Sequence, residues 1–171
     1  VIVSYLPIPA KLGEMKTKPT QHAVRNLNSA GIQPDFVIAR SRVGVDEPRR
    51  KKLAIFCNVA KEDVISAPDV KSIYDIPLNF EKDGLGDNIL KKFGLKPRQK
   101  DLKEWRAMVA AVNSATKEVN IGIVGKYFST GDFTLADSYI SVIEAIRHAC
   151  VVNRCKPKLF WINAEEVEKK G

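Results

Sequence analysis

The arrangement that most restricts how this chain can fold is an alternation of short apolar runs with helical stretches over residues 1–67. The predicted elements are a strand over residues 1–6, a helix over 19–30, a strand over 35–39, a helix over 46–57 and a strand over 64–67. Gly31 ends the first helix, and Asp46-Glu47-Pro48 provides an acidic first turn and an early proline for the second. Strands that alternate with helices form parallel sheets, so an α/β fold is expected.

The pattern changes after Ile76 and changes again near Val119. Short helices are predicted over residues 77–83, 85–93 and 101–112, separated by Gly84, Gly94 and Pro97. A strand over 119–125, a long helix over about 135–153, a strand over 158–162 and a helix start at 164 then follow. The sequence thus predicts three parts: a sheet domain over 1–76, a helical linker over 77–117, and the first β-α-β unit of a new doubly wound domain over 118–171.

Composition argues against a membrane protein. Hydrophobic residues make up 44% of the 171 residues, but no apolar run approaches the roughly 18 residues of a membrane span. The first nine residues lack the basic flank of a signal peptide. We therefore expect no membrane partner and a cytoplasmic location, where Cys57, Cys150 and Cys155 would be reduced thiols.

The positive charge of the chain is concentrated near its start. The net charge is +8, of which residues 1–60 contribute +6 with ten Lys or Arg against four acids, and residues 61–171 contribute +2 with eighteen against sixteen. The basic part lacks the interleaved aromatic residues and glycine-rich motifs of RNA-binding proteins. We therefore expect no nucleic-acid partner, because this local charge better suits a small polyanion.

A basic loop, Gly-Glu-Met-Lys-Thr-Lys-Pro-Thr-Gln-His at residues 13–22, leads directly into the first predicted helix. Lys16 and Lys18 are close in sequence, and Pro19 suits the first helical position, where its missing N–H has no partner. The backbone amides of Thr20 and Gln21 are then expected to be unpaired donors at the positive end of the helix dipole. Charge-assisted hydrogen bonds are worth about 1.5–3 kcal/mol each, so the loop predicts a polyphosphate site.

This decapeptide resembles the pyrimidine-nucleotide segment of the CTP synthase family. Residues 29–35, Ser-Ala-Gly-Ile-Gln-Pro-Asp, continue the resemblance. Further blocks occur in the family's order at residues 38–41, 52–59, 64–66, 72–77, 85–87, 118–127 and 138–145. A shared decapeptide with several ordered blocks is more specific than a lone short motif.

The resemblance implies an internal segment of a larger ligase. Residues 1–76 would end a P-loop-type amidoligase (synthetase) domain with a parallel sheet, and residues 118–171 would begin a flavodoxin-like class I glutamine amidotransferase domain. The family converts UTP to CTP: ATP phosphorylates the uracil 4-oxygen, and ammonia from glutamine displaces the phosphate. The resemblance also implies Mg²⁺ with ATP, GTP as an allosteric activator, and a homotetramer with the pyrimidine site at a subunit interface.

The resemblance also assigns binding residues, position by position. For the phosphates of UTP and of the feedback inhibitor CTP they are Lys16, Thr17, Lys18, Pro19, Thr20, Gln21 and Lys52. For ATP they are Arg40, at the end of a strand, and Asp69 and Val70, beside the adenine. Without the resemblance, Lys52 would be interpreted as a surface lysine among Arg49, Arg50 and Lys51.

Catalytic residues and metal ligands are expected outside this segment. The sequence has no GxxxxGK[ST] motif, no glycine-flanked nucleophilic cysteine, and His148 lies in a predicted helix with Cys150. The segment alone is therefore expected to be inactive. A non-catalytic nucleotide-binding or assembly module and another P-loop amidoligase remain the alternatives. Between Phe128 and Ser138 the sequence is longer than the family's usual passage, so no GTP contacts are assigned.

Overall fold

A computed structural model describes residues 1–98, 100–126, 129–130, 133–134 and 136–170. The chain divides into two compact units, Val1–Leu102 and Lys103–Gly171. In each unit parallel strands are connected through helices. The expected α/β class with parallel sheets is therefore confirmed, whereas the boundaries of the linker over residues 77–117 stay a prediction.

The first unit is built on a parallel sheet. Its first elements, in chain order, are β1 (Ile2–Tyr5), α1 (Lys18–Ser29), β2 (Val37–Ser41), α2 (Glu47–Cys57) and β3 (Val64–Pro68). The spatial order is β1-β2-β3, and Ala39 in the middle strand pairs with Ser4 on one side and Ser66 on the other. Because the strands are parallel, their carboxyl ends and the loops that follow lie at one edge of the sheet.

Helix α1 begins one residue earlier than predicted, at Lys18 rather than Pro19. Thr17 is its N-cap, and the carbonyl oxygen of Thr17 accepts the backbone N–H of Gln21 at 3.1 Å. The expectation of an unpaired Gln21 amide is therefore wrong, because the earlier start gives that amide an acceptor four residues back. At the other end Gly31 adopts a φ of +80°, the left-handed conformation that terminates many helices.

The buried face of α1 lies toward its first two turns. Val24 is buried, whereas Leu27 is half-buried and Ala30 is exposed. Thr20 is fully buried instead, and its Oγ1 accepts a hydrogen bond from the Ser4 hydroxyl at 2.9 Å. The first turn of the helix, rather than its last, therefore packs against β1.

Strand β2 starts and ends two residues later than predicted, because its pairing with both neighbours runs from Val37 to Arg40 and continues to Ser41 against β3. Helix α2 starts as predicted, with Asp46 as N-cap accepting the backbone N–H of Arg49 at 3.0 Å. Asn58, with a φ of +52°, ends the helix. The loop between β2 and α2 is thus short, and it places the start of α2 near the carboxyl edge of the sheet.

Helices cover both faces of this sheet. Leu6, Val24, Leu53 and Val64 belong to a buried cluster that includes α1 and α2. On the other face, Phe36, Ile65 and Leu85 form a second cluster with residues of α3 (Ile76–Lys82) and α4 (Leu85–Lys92). The strands alternate their side chains between the two clusters, as the pleat requires.

The second unit contains a β-α-β arrangement, as predicted. Its elements are α5 (Lys103–Ser114), β4 (Lys117–Gly125), β5 (Ser129–Thr130), β6 (Phe133–Thr134), α6 (Ile140–Val152), β7 (Cys155–Asn163) and α7 (Ala164–Lys170). β4 and β7 pair in parallel, with Ile123 opposite Trp161. Helix α6 starts later than predicted because residues 136–139 form a 3₁₀ turn, in which Tyr139 packs edge-on against Trp161 with ring centroids 6.1 Å apart.

Three further predictions concern this unit or the whole chain. The longer passage from Phe128 to Ser138 lies partly outside the described residues. Cys57, Cys150 and Cys155 are free thiols, and burial raises the pKa of the first two. Within the described part of the chain, no helix combines the length and apolar character needed to cross a membrane.

Candidate nucleotide site

A surface cavity of about 550 Å³ lies where the loop before α1 meets the start of α2. Among the described residues, those lining it are Glu14, Met15, Lys16, Thr17, Lys18, Pro48, Arg49 and Lys52. Four of these carry positive charge and one carries negative charge. The volume falls within the range of small-molecule sites, and the excess positive charge suits a phosphate-rich ligand.

The loop before α1 is fixed by alternate burial of its side chains. Met15 and Thr17 are buried, at 7% and 5% exposure, whereas Glu14 and Lys18 are exposed and Lys16 is half-buried. The backbone N–H of Lys16 also donates to the carbonyl oxygen of Pro7 at 2.9 Å. The buried residues therefore anchor the loop in the core, and the charged residues that alternate with them, Glu14, Lys16 and Lys18, line the cavity.

The binding residues predicted in the loop and in the first turn of α1 have two different positions. Lys16, Thr17 and Lys18 line the cavity, whereas Pro19, Thr20 and Gln21 do not. Gln21 is buried, and its Nε2 donates to Oγ1 of Thr17 at 3.0 Å. Thr20 is held by Ser4. Two side-chain hydrogen bonds, Gln21 to Thr17 and Ser4 to Thr20, therefore hold the loop and the start of α1 in place.

Lys52 reaches the same cavity from α2, as the prediction requires. Its neighbour Lys51 is exposed and is not among the residues that line the cavity. The structure thus brings Lys16, Lys18 and Lys52 together, although the first two are separated from the third by more than thirty residues of sequence.

Arg49 is a cavity residue that the sequence reasoning missed. Its Nε donates to the carbonyl oxygen of Met15 at 3.0 Å, one guanidinium nitrogen pairs with Asp46, and Nη2 contacts Oε1 of Glu14 at 3.1 Å. Residues three apart on a helix share a face, so the spacing of Arg49 and Lys52 is the signal that predicts both to face one ligand.

Glu14 was missed as well, although it lies within the basic decapeptide. Its Oε2 accepts a hydrogen bond from Nζ of Lys16 at 2.6 Å. That bond and the charge of Lys16, followed by the charge of Arg49, lower the pKa of the Glu14 carboxyl. The cavity therefore contains an ionised carboxylate at neutral pH, and its cations are partly neutralised from within.

The residues assigned to ATP lie elsewhere in the first unit. Arg40 lies near the carboxyl end of β2, and Asp69 directly follows the carboxyl end of β3. Nη2 of Arg40 and Oδ1 of Asp69 are 3.2 Å apart. Their side chains are 58% and 52% exposed. The backbone N–H of Asp69 donates to the carbonyl oxygen of Ser41 at 2.8 Å, and Val70 is half-buried. The structure brings Arg40 and Asp69 together, but neither lines the cationic cavity.

Together these features define a class: a parallel α/β protein segment with a cationic cavity beside the start of a helix. Residues 1–95 match the family model described as CTP synthase N-terminus. The whole chain is 49% identical over 171 residues to the CTP synthase of Thermococcus gammatolerans and 48% identical over 171 residues to that of Pyrococcus abyssi. It is also 47% identical over 169 residues, 99% of the chain, to the CTP synthase of Methanococcus maripaludis.

The chain belongs to the CTP synthase family, which confirms the resemblance inferred from its motifs. It covers 31% of the length of each of these three relatives.

Proposed function

We propose that this chain is the part of a CTP synthase that holds the triphosphate of UTP and of the product CTP. The intact protein would aminate UTP to CTP in an ATP-dependent reaction with glutamine or ammonia as nitrogen donor. The observation that carries the proposal is the convergence of Lys16, Lys18 and Lys52 on one cavity of about 550 Å³.

The charges of this cavity fit a triphosphate better than a neutral or cationic ligand. Lys18 is the first residue of α1 and lies at the positive end of the helix dipole. Lys52 approaches from α2, so phosphate oxygens between the two elements would receive donors from both sides. Three lysine contacts at about 1.5–3 kcal/mol each are enough for a useful affinity.

Thr17, Thr20, Gln21 and Pro19 support this site in a different way. We assign the first three to holding the loop through their hydrogen bonds, with Thr17 also among the residues that line the cavity. Pro19 adds a fixed φ at the start of the helix. Their proposed contribution is to keep the lysines in place before the nucleotide arrives.

Arg40, Asp69 and Val70 are proposed to contribute to the ATP site at the carboxyl edge of the sheet. This is the edge at which open parallel sheets bind ligands. The guanidinium of Arg40 is exposed and has a planar face and several donors that suit a nucleotide. Asp69 would fix the orientation of Arg40, and Val70 would contact the adenine.

The remaining groups of the reaction are proposed to lie in other parts of the intact protein. Among the described residues, no cluster of three or more His, Cys, Asp or Glu is arranged to hold a metal. We therefore assign no ligand of the Mg²⁺ that accompanies ATP to these residues, and no step to that ion. The glutaminase nucleophile is likewise proposed to lie outside these residues, and no GTP contacts are assigned. A homotetramer is proposed to complete the pyrimidine site at a subunit interface.

The proposal is tested by measuring CTP and UTP affinity in the intact protein by calorimetry. Lys16→Ala and Lys18→Ala are each expected to weaken both affinities about tenfold or more, because each removes a charged phosphate contact. Unchanged affinities in both variants would contradict the assignment. ATP turnover triggered by UTP would separate a CTP synthase from a non-catalytic nucleotide-binding module or another amidoligase.

A further inference from the structure

The cationic cavity contains a carboxylate that bridges two of its cations. Oε2 of Glu14 accepts from Nζ of Lys16 at 2.6 Å, and Oε1 faces Nη2 of Arg49 at 3.1 Å. A phosphate presents its oxygens to lysine and arginine in the same way, as acceptors of charge-assisted hydrogen bonds. Glu14 therefore occupies the kind of position that a phosphate group would take between these two side chains.

The two cations and the carboxylate differ in how firmly they are held. The Arg49 side chain is only 24% exposed, and it is tied to the Met15 carbonyl oxygen and to Asp46 by bonds that do not involve Glu14. The Glu14 side chain is 56% exposed, and within the described part of the chain its ion pairs are with Lys16 and Arg49. Exposed ion pairs are weak, so the carboxylate can swing into solvent while Arg49 stays in place.

We propose that Glu14 is an internal counter-anion that is displaced by a phosphate group of the nucleotide, and that Arg49 is a further phosphate ligand. The proposal rests on the proposed function, because it requires that the cavity bind the triphosphate of UTP or CTP. Before binding, the single negative charge of Glu14 partly neutralises Lys16 and Arg49. On binding, the nucleotide must break both ion pairs and replace them, so Glu14 lowers the affinity that the cations would otherwise provide.

A purely structural role for Glu14 predicts the opposite effect on binding. If the carboxylate were needed to orient Lys16 and Arg49, its removal would disorder both cations and weaken nucleotide binding. The sign of the change in affinity therefore distinguishes a displaced counter-anion from an anchor.

The test is CTP affinity of the Glu14→Gln variant of the intact protein, measured by calorimetry at low and at physiological salt. We expect binding about fivefold tighter at low salt, and a smaller gain at higher salt because exposed charges are screened. The control is Glu47→Gln, since Glu47 is also an exposed carboxylate paired with a lysine, Lys61 at 2.9 Å, but lies outside the cavity lining. Its CTP affinity should be unchanged.

A second variant, Arg49→Met, is expected to weaken CTP binding about tenfold, the effect of one lost charged contact. Unchanged or weaker binding in Glu14→Gln, or unchanged binding in Arg49→Met, would overturn the inference while the proposed function stands, provided that Lys16→Ala still weakens binding. If Lys16→Ala also leaves CTP affinity unchanged, the proposed function and this inference fail together.

Discussion

The two predicted nucleotide regions of the first unit are built very differently. In the cationic cavity, buried Met15 and Thr17 anchor the loop, and Arg49 is held by backbone and carboxylate contacts. At the carboxyl edge of the sheet, Arg40 and Asp69 form an exposed pair. The side chains proposed to bind phosphate therefore share one cavity supported by buried residues, whereas the side chains proposed to bind ATP form an exposed ion pair outside that cavity.

The largest expected effect comes from removing the anchor of the cavity loop. Met15 is 7% exposed and belongs to the main core cluster, so Met15→Ala should lower the free energy of unfolding by about 3 kcal/mol. It should also weaken CTP binding, because Lys16 and Lys18, which follow Met15 in the sequence, lose their support. Chemical denaturation and calorimetry of the intact protein measure the two effects. Full stability in this variant would show that the loop is held by other contacts.

Lys52→Ala is expected to weaken CTP binding about tenfold, or about 1.4 kcal/mol, because it removes one charged contact from α2. ATP affinity should not change, since Lys52 lies in the cavity and not beside Arg40. Lys51→Ala is the matched control, because it removes the same charge from the neighbouring residue, whose side chain does not line the cavity. Equal losses in both variants would indicate a general effect of positive charge rather than a contact.

Arg40→Ala tests the proposed ATP region separately from the cationic cavity. The expected effect is a several-fold loss of ATP affinity, smaller than the effect of Lys52→Ala on CTP. An exposed guanidinium contributes less binding free energy, because its interactions with charged groups are weakened by solvent. CTP affinity should stay the same. Binding isotherms for the two nucleotides provide the measurement, and a loss of CTP affinity in Arg40→Ala would join the two regions into one site.

The smallest expected effect concerns folding stability. Asp69→Asn breaks an ion pair whose two side chains are more than half exposed, so the free energy of unfolding should fall by no more than about 0.5 kcal/mol. A melting curve in the absence of nucleotide tests this. A drop comparable to that of Met15→Ala would mean that the carboxyl edge is as firmly built as the cavity.

Much of the first unit could be predicted from sequence, because its signals are local. Asp46 before Pro48 predicts the start of α2, and Gly31 predicts the end of α1 through its left-handed backbone. The sequence pattern predicts the start of α1 one residue too late, because Thr17 is an N-cap without a side-chain cap hydrogen bond. That single residue decides whether the Gln21 amide is free.

The parts of the site that were missed depend on contacts across the chain. Nothing local in the sequence shows that Nε of Arg49 donates to the Met15 carbonyl oxygen, 34 residues away, so the pattern alone does not distinguish Arg49 from a surface arginine. The sequence likewise does not reveal the pairing of Glu14 with Arg49, because that contact forms only when α2 packs beside the loop. In the second unit, a 3₁₀ turn at residues 136–139 precedes α6, and its Tyr139 packs against Trp161, a contact that the sequence pattern alone does not reveal.

The most direct test of the account is an experimental structure of the intact protein bound to CTP. The account predicts phosphate oxygens at about 2.7–2.9 Å from the side-chain nitrogens of Lys16, Lys18 and Lys52, with Glu14 turned away from Lys16 and Arg49. A triphosphate bound elsewhere, with the Glu14 pairs intact and the cavity holding no part of the nucleotide, would contradict it.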